Sequence, residues 1–466
     1  MPSTKRFAKN IGYYTLGTFA TRLLQFLFVP LYTKFISTGD MGTYDYILAC
    51  VSVALPVLFQ SIWEGSFRFV IEAKGQERAT LSTCSKYLLA LTVGYTFIFC
   101  IIAFFFHTQY AIYILLYGIG QVASSYWLFS ARALKENKLY AASSLISSSV
   151  SIVLNFVLIL VFHLGIDALF IATITGTLVM VAVMESKLRL LKDISRYDFD
   201  KTLLKQIIKY SIPLAINTIS WWLMSSCNSI IITTTVGVEN NGIYSMALRF
   251  GSILSIFTSI VTLAWQEEAF RTYGEKEQDS YFNKVLSLLT KSLLGGVLVL
   301  TPATYILYKY FVFGDYVIGV YLVSFIYTSA VFNALSCHLG SALLARKESG
   351  IMFYTTLSGG IISLLLALFL VYPLGLIGVA ISMLIGNIFN FLIRIPILNK
   401  RITLRIDYHS IIVLLLIIAL VSVCCHYCKM NLSKLILTTS VAMVIAIIIN
   451  RELIAQFLNK LKIIKK

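Results

Sequence analysis

The chain has 466 residues, of which 58% are hydrophobic and only 13% charged, with a formal net charge of +17 and a mean hydropathy of +0.84. That composition excludes a soluble globular domain, where about a quarter of residues are charged, and leaves a polytopic membrane protein. The ten-residue alternation of barrel strands is absent, so the spans are helical.

A helix needs about 20 mostly apolar residues to cross the hydrocarbon. Such stretches fall at 10–36, 42–65, 86–106, 110–130, 141–163, 166–186, 208–236, 242–265, 285–308, 316–340, 351–372, 375–397, 409–427 and 434–452. They predict an all-α polytopic membrane protein with about fourteen transmembrane helices. The opening MPSTKRFAKN imitates a signal peptide, but the apolar run behind it is too long and has no small-residue cleavage site, so a retained first helix is expected.

The basic residues fall in alternate loops: the N-terminus, 66–86, 131–140, 187–209, 271–291, 346–347, 394–405 and 451–466, together 32 of the 38 Lys and Arg. The opposite loops HTQY (107–110), HLGID (163–167), GVENN (237–241) and YPLG (372–375) hold none. The charge is therefore topology under the positive-inside rule, with both termini expected in the cytoplasm and no nucleic-acid partner. Most of the eight cysteines lie in or beside helices, which argues against a disulfide framework. Cys424-Cys425-His426-Tyr427-Cys428 lacks a second ligand cluster and reads as structural; no metal or cofactor is expected.

Internal repetition divides the chain. LGIDALFIATITG (164–176) aligns with LGLIGVAISMLIG (374–386) at a spacing of 210, ALKEN (133–137) with ARKES (345–349) at 212, and Gly42-Thr-Tyr44 with Gly242-Ile-Tyr244 at 200. We expect an N-terminal six-helix lobe at 1–195, a second six-helix lobe at 196–400, and two extra helices with a basic tail at 401–466. Six helices per lobe give parallel repeats, a transporter arrangement with substrate held between the lobes.

Polar residues within spans mark candidate lining. In the first span Thr15, Thr18, Arg22 and Gln25 form one stripe at helical spacing. The second carries Asp45, Ser52, Pro56, Gln60 and Glu64, the seventh Asn217, Ser220, Met224 and Asn228, and the eighth Ser245, Arg249, Ser252 and Ser259. Uncharged residues of this kind also serve helix contacts, whereas an arginine deep in a span costs roughly 2.5–3.5 kcal/mol and points to function. Arg22 and Arg249 suit an anionic, phosphate-bearing cargo. Thr18, Gln25, Asn217, Asn228 and Ser252 are candidate cavity residues beside them, and Asp45 and Glu64 are candidates for ion coupling. Asp198-Phe-Asp200 imitates a nucleotide-sugar motif but is better placed to cap the amphipathic run 201–209.

GTFATRLLQFLFVPLYTKFISTGDMGTYDY (17–46) resembles the opening of the Wzx-type polysaccharide flippases of the multidrug/oligosaccharidyl-lipid/polysaccharide exporter superfamily. The resemblance continues in WEGSFRF (63–69), YSIPLAINTISWWLMSSCNSIII (210–232), GIYSMALRF (242–250) and FTSIVTLAWQEEAF (257–270). It implies a MATE-like fold and a non-enzymatic flippase that moves undecaprenyl-pyrophosphate-linked oligosaccharide across the bacterial inner membrane by alternating access. Its partners would be that lipid-linked substrate, membrane lipids, and the polymerase and glycosyltransferases of an O-antigen or similar pathway. Where relatives often carry Asp-Arg late in the seventh helix, this chain has Asn228-Ser229. A peptidoglycan-precursor flippase and a multidrug antiporter share the helix count or repeat, although Arg22 stands where antiporters usually place a carboxylate. A membrane polymerase would carry a large outer loop, which this sequence lacks.

The charge pattern makes a topological prediction. A cysteine introduced at Ser195 should be shielded from a membrane-impermeant thiol reagent in intact cells while one at Asn240 reacts; labelling of the first alone would invert the topology.

Overall fold

In hydrocarbon each span must satisfy its own backbone, so helices are the economical solution. The computed structural model describes residues 26, 28–73, 75–271, 278–346, 348–428 and 430–451, and among them the regular structure is helical with no strand. In chain order the helices are α1 (Val29–Phe35), α2 (Thr38–Leu58), α3 (Ile62–Glu72), α4 (Glu77–Phe106), α5 (Ala111–Ala133), α6 (Asn137–Leu160), α7 (Ile166–Leu188) and α8 (Leu190–Arg196). They continue with α9 (Lys201–Ser225), α10 (Cys227–Thr235), α11 (Val238–Arg271), α12 (Gln278–Phe311), α13 (Val323–Ala345), α14 (Ser349–Asn399), α15 (Tyr408–Tyr427) and α16 (Leu432–Ile449), with a 3-10 segment Gly314–Leu322 leading into α13. Ten helical segments among the described residues are long and apolar enough to cross a membrane. One of them, α14, is two helices joined at Gly375 (φ 56°), a conformation only glycine adopts without strain. The first span lies mostly outside the described residues.

Two predicted spans are broken. The second is divided between α2 and α3 by left-handed residues Gln60 (φ 54°) and Ser61 (φ 46°). Pro56, which has no N–H to give the helix, precedes the break, and its carbonyl accepts from Ser61 N at 2.9 Å. The stripe from Asp45 to Glu64 is therefore not one continuous helical face, a correction to the expectation from periodicity. The seventh span divides at Ser226 into α9 and α10.

Described residues up to Trp222, apart from Tyr32–Lys34, form one compact unit; Tyr32–Lys34 and the residues from Leu223 onward form another. In the first, α7 packs on α6 and α5, and α3 on α4 and α5. In the second, α13 packs on α11 and α14, while α15 and α16 lie against α12.

The internal repeat is visible as chemistry within each unit. Tyr44 of α2 is buried and shares a 2.8 Å hydrogen bond with Thr173 of α7. Tyr244 of α11 is buried and its hydroxyl meets the Met383 sulfur of α14 at 3.6 Å. Thr173 and Met383 are 210 residues apart, the spacing of the aligned segments. A second equivalence involves Gly176 and Gly386, also 210 apart. A Cβ on Gly176 would lie 2.7 Å from the Ser147 carbonyl and strike the Ser151 hydroxyl; one on Gly386 would lie 2.9 Å from the Gly359 carbonyl and 2.6 Å from Ser363 Cβ. Ser147 and Gly359, like Ser151 and Ser363, are 212 apart. Each unit thus closes the same small-residue helix crossing, the kind of backbone approach that holds helices together in lipid.

The segment after α7 is fastened to the first unit. Glu185 accepts from the backbone N–H groups of Leu190 and Leu191 and from Trp127 Nε1, each at 3.0 Å. Arg78 Nη1 pairs with Asp193 at 2.9 Å and also donates to the Leu188 carbonyl, and Lys86 Nζ donates to the Tyr197 carbonyl at 2.6 Å. Asp200 caps α9 through a 2.9 Å bond from Leu203 N, as its position in the sequence suggested.

The glycine crossing is testable. Gly386→Val should lower thermal stability in detergent by about 1–3 kcal/mol or prevent folding. Gly350→Ala, where a Cβ meets open space, should be neutral or slightly stabilising; wild-type behaviour of Gly386→Val in thermal unfolding would remove the crossing as a determinant.

Candidate functional site

Arg249 lies in α11 of the second unit, half-buried, with its guanidinium carbon 5.2 Å from the centre of the Tyr32 ring. A cation over a tyrosine face is stabilised by about 0.5–2 kcal/mol, more as water is excluded. Tyr32 belongs to α1 and is itself buried. Ser252, half-buried on the next turn of α11, returns its hydroxyl to the Arg249 carbonyl at 2.6 Å. The structure therefore brings together Arg249, Ser252 and Tyr32, the last of which sequence reasoning did not single out; its signal was an aromatic two residues beyond Pro30 in a span that already held a charge.

Other predicted residues are placed differently. Asn228 is 1% exposed, and its amide donates to the Tyr244 hydroxyl at 3.1 Å, joining the tyrosine–methionine crossing described above. Asn217 is half-buried in α9, and further along its stripe Met224 is buried with its sulfur accepting from Asn390 at 3.9 Å. Asp45 and Glu64 are both half-buried, on α2 and α3, either side of the break at Gln60 and Ser61. Gln60 is held by a hydrogen bond from the Tyr87 hydroxyl at 3.1 Å. Thr18, Arg22 and Gln25 lie outside the described residues. Near the C-terminus His426 packs edge-on against Tyr321 at 4.8 Å, and among the described residues no group of three or more His, Cys, Asp or Glu is placed to hold a metal.

Residues 7–266, more than half of the chain, match the model of the family described as polysaccharide biosynthesis protein. The chain belongs to that family. Among solved structures it is similar to an inward-facing MATE family multidrug resistance transporter of the MOP superfamily, at 16% identity and a TM-score of 0.66 over 82% of this chain and 96% of that one. It is similar to the lipid II flippase MurJ in an inward closed conformation, at 15% identity and a TM-score of 0.66 over 95% of this chain and 99% of that one. A MOP superfamily transporter from Pyrococcus furiosus, described as having a binding pocket of reverse polarity that suggests a different function, aligns at 15% identity and a TM-score of 0.58 over 84% and 95%. At these identities the likeness establishes the fold, which is the MATE-like one expected from the sequence. No curated protein sequence matches the chain.

One charge escaped the sequence analysis. Arg394 counts among the basic loop residues by position, yet the structure buries it completely in the second half of α14. Its Nε donates to Thr355 Oγ1 at 3.0 Å, Nη1 to the Ser336 carbonyl at 2.6 Å, and Nη2 to Thr356 Oγ1 at 2.8 Å and more weakly to the Met352 carbonyl at 3.4 Å. Helix α13 supplies Ser336 and the first half of α14 supplies the rest, so one planar fork ties three helical segments together. Every named acceptor is neutral. The guanidinium is held by geometry and not by a carboxylate.

Arg394→Ala should cost roughly 3–5 kcal/mol, through lost charge-assisted bonds and the cavity left behind. Arg394→Lys, with charge but no fork, should fall between. Thermal unfolding of the purified variants measures this, and an alanine variant as stable as wild type would show that the staple carries no load.

Proposed function

We propose that this protein is a flippase that carries polyprenyl-diphosphate-linked oligosaccharide units from the cytoplasmic to the outer leaflet of the bacterial inner membrane by alternating access. The observation that carries the reading is Arg249, a permanent cation in the expected eighth span, its guanidinium carbon 5.2 Å from the centre of the Tyr32 ring. A cation there is expensive unless it has work to do. A diphosphate is the fitting cargo, because a guanidinium presents paired donors to its oxygens. Membership of a polysaccharide biosynthesis family supports a glycan as the remainder of the cargo. The MurJ likeness adds a precedent for a flippase of lipid-linked material on this fold.

In this reading Arg22 of the first span is a second anchor for the diphosphate, and Thr18, Gln25, Asn217 and Ser252 offer hydrogen bonds to the sugar hydroxyls. Asn228 contributes by holding Tyr244. Asp45 and Glu64 are candidates for ion coupling. Both termini face the cytoplasm, and no chemical step is catalysed.

Arg249→Ala should insert normally, since it removes an insertion cost, and should reduce glycan export by roughly ten- to a hundredfold, the equivalent of one lost charge-assisted interaction. Lipid-linked oligosaccharide should accumulate on the cytoplasmic leaflet. Arg249→Lys should keep part of the activity, and Lys309→Ala, at an exposed contact to the Met430 carbonyl, should be nearly silent. Export at the wild-type rate by a normally expressed Arg249→Ala variant would overturn the assignment.

A further inference from the structure

A shallow cleft lies in the second unit between α12, the second half of α14 and the loop entering α15. Its floor is apolar, with Leu286, Phe391 and Ile411 all buried. Its polar lining includes two cations, Lys291 and Arg405, and one carboxylate, Asp407. The carboxylate is already occupied. Both its oxygens are engaged by Ser410, Oδ1 by the backbone N–H at 3.0 Å and Oδ2 by the hydroxyl at 2.5 Å, where it caps α15. These bonds hold its carboxyl below the usual carboxylate range, with Lys291 adding to the effect. The side chains of the two cations have no hydrogen-bond or salt-bridge partner among the described residues, so the site retains a positive surplus beside a helix N-terminus.

The pocket is built, and it sits at a defined depth. The loop carrying Arg405 is pinned to α12: Arg405 N donates to Asn283 Oδ1 at 2.8 Å, Asn283 Nδ2 donates to the Thr403 carbonyl at 2.7 Å, and Thr403 N donates to Asp279 at 2.8 Å. Its level is that of two helix ends. α15 starts at Tyr408, an exposed aromatic of the kind found at headgroup depth. α16 ends at Asn450, whose amide reaches the Lys291 carbonyl at 3.4 Å. Lys291 thus stands where hydrocarbon gives way to headgroups, on the side rich in basic loops.

We propose that Lys291 and Arg405 bind the phosphate of an anionic glycerophospholipid from the surrounding leaflet, its acyl chains remaining in the hydrocarbon beside the cleft. Basic pockets between transmembrane helices favour such headgroups, and an apolar floor beneath the cations favours a lipid over free phosphate. The site is separate from the proposed cargo arginine, so its test does not depend on which glycan is carried.

The experiment is thermal unfolding of the purified full-length chain in a non-ionic detergent, titrated with phosphatidylglycerol, phosphatidylcholine or inorganic phosphate. Phosphatidylglycerol should raise the unfolding temperature, and the other two should not. The double variant Lys291→Gln/Arg405→Gln should bind phosphatidylglycerol at least tenfold more weakly. Arg405→Lys should keep most of the response, and so should the control Lys187→Gln/Lys192→Gln, whose exposed lysines lie outside the pocket. If the double variant does not fold, each single substitution should show a smaller deficit. A wild-type response in the double variant, or in both single ones, overturns the site. So does an equal loss in the control pair or equal stabilisation by phosphatidylcholine, and equal stabilisation by inorganic phosphate overturns the lipid assignment.

Discussion

A polar atom inside a bilayer has no water to fall back on, so its partner must come from the protein. That constraint decides where the helices of this protein sit. Tyr44 reaches Thr173, Tyr244 reaches Met383, and Arg394 reaches across three helical segments for its acceptors. Each bond is modest alone, because a transmembrane side-chain hydrogen bond contributes only about 0.6 kcal/mol on average. Their effect is selective more than cohesive: a helix rotated by one residue would leave a hydroxyl or guanidinium stranded in hydrocarbon.

The same constraint sharpens what Arg249 means. Arg394 and Arg249 are both arginines within apolar helices, but the first is enclosed by neutral oxygens and buried, while the second is half-buried on an aromatic ring. Enclosure by fixed acceptors is what a structural arginine shows. Arg249 instead lies half-buried with its guanidinium carbon 5.2 Å from the centre of the Tyr32 ring. Charge counting along the chain treated Arg394 as an ordinary loop residue, and only the structure shows it enclosed by neutral oxygens.

Much of the fold was legible in the sequence because lipid imposes long apolar runs and the basic loops punctuate them. The repeat was also legible, since Gly176 and Gly386 are required by the same crossing and so persist at matching places. The break at 59–61 was not, because the residues with positive φ are Gln60 and Ser61 instead of glycine, and their strain shows only in the backbone. Helical periodicity also cannot tell a lining residue from one that serves a neighbour: Asn228 shares spacing with Asn217, yet its amide belongs to Tyr244. For Tyr32 the obstacle was different. Its relevance comes from a contact with a residue more than two hundred positions away, which no local pattern records.

The fastening of α8 and the residues that follow it has a mechanical consequence. Because Glu185, Arg78 and Lys86 hold the segment as far as Tyr197, and Asp200 immediately starts α9, almost no slack chain lies between α7 and α9, and the first unit runs on through α9 to Trp222. α9 is thus anchored at its start, and Pro213 within it and the discontinuity at Ser226 are the places where this stretch of chain can bend.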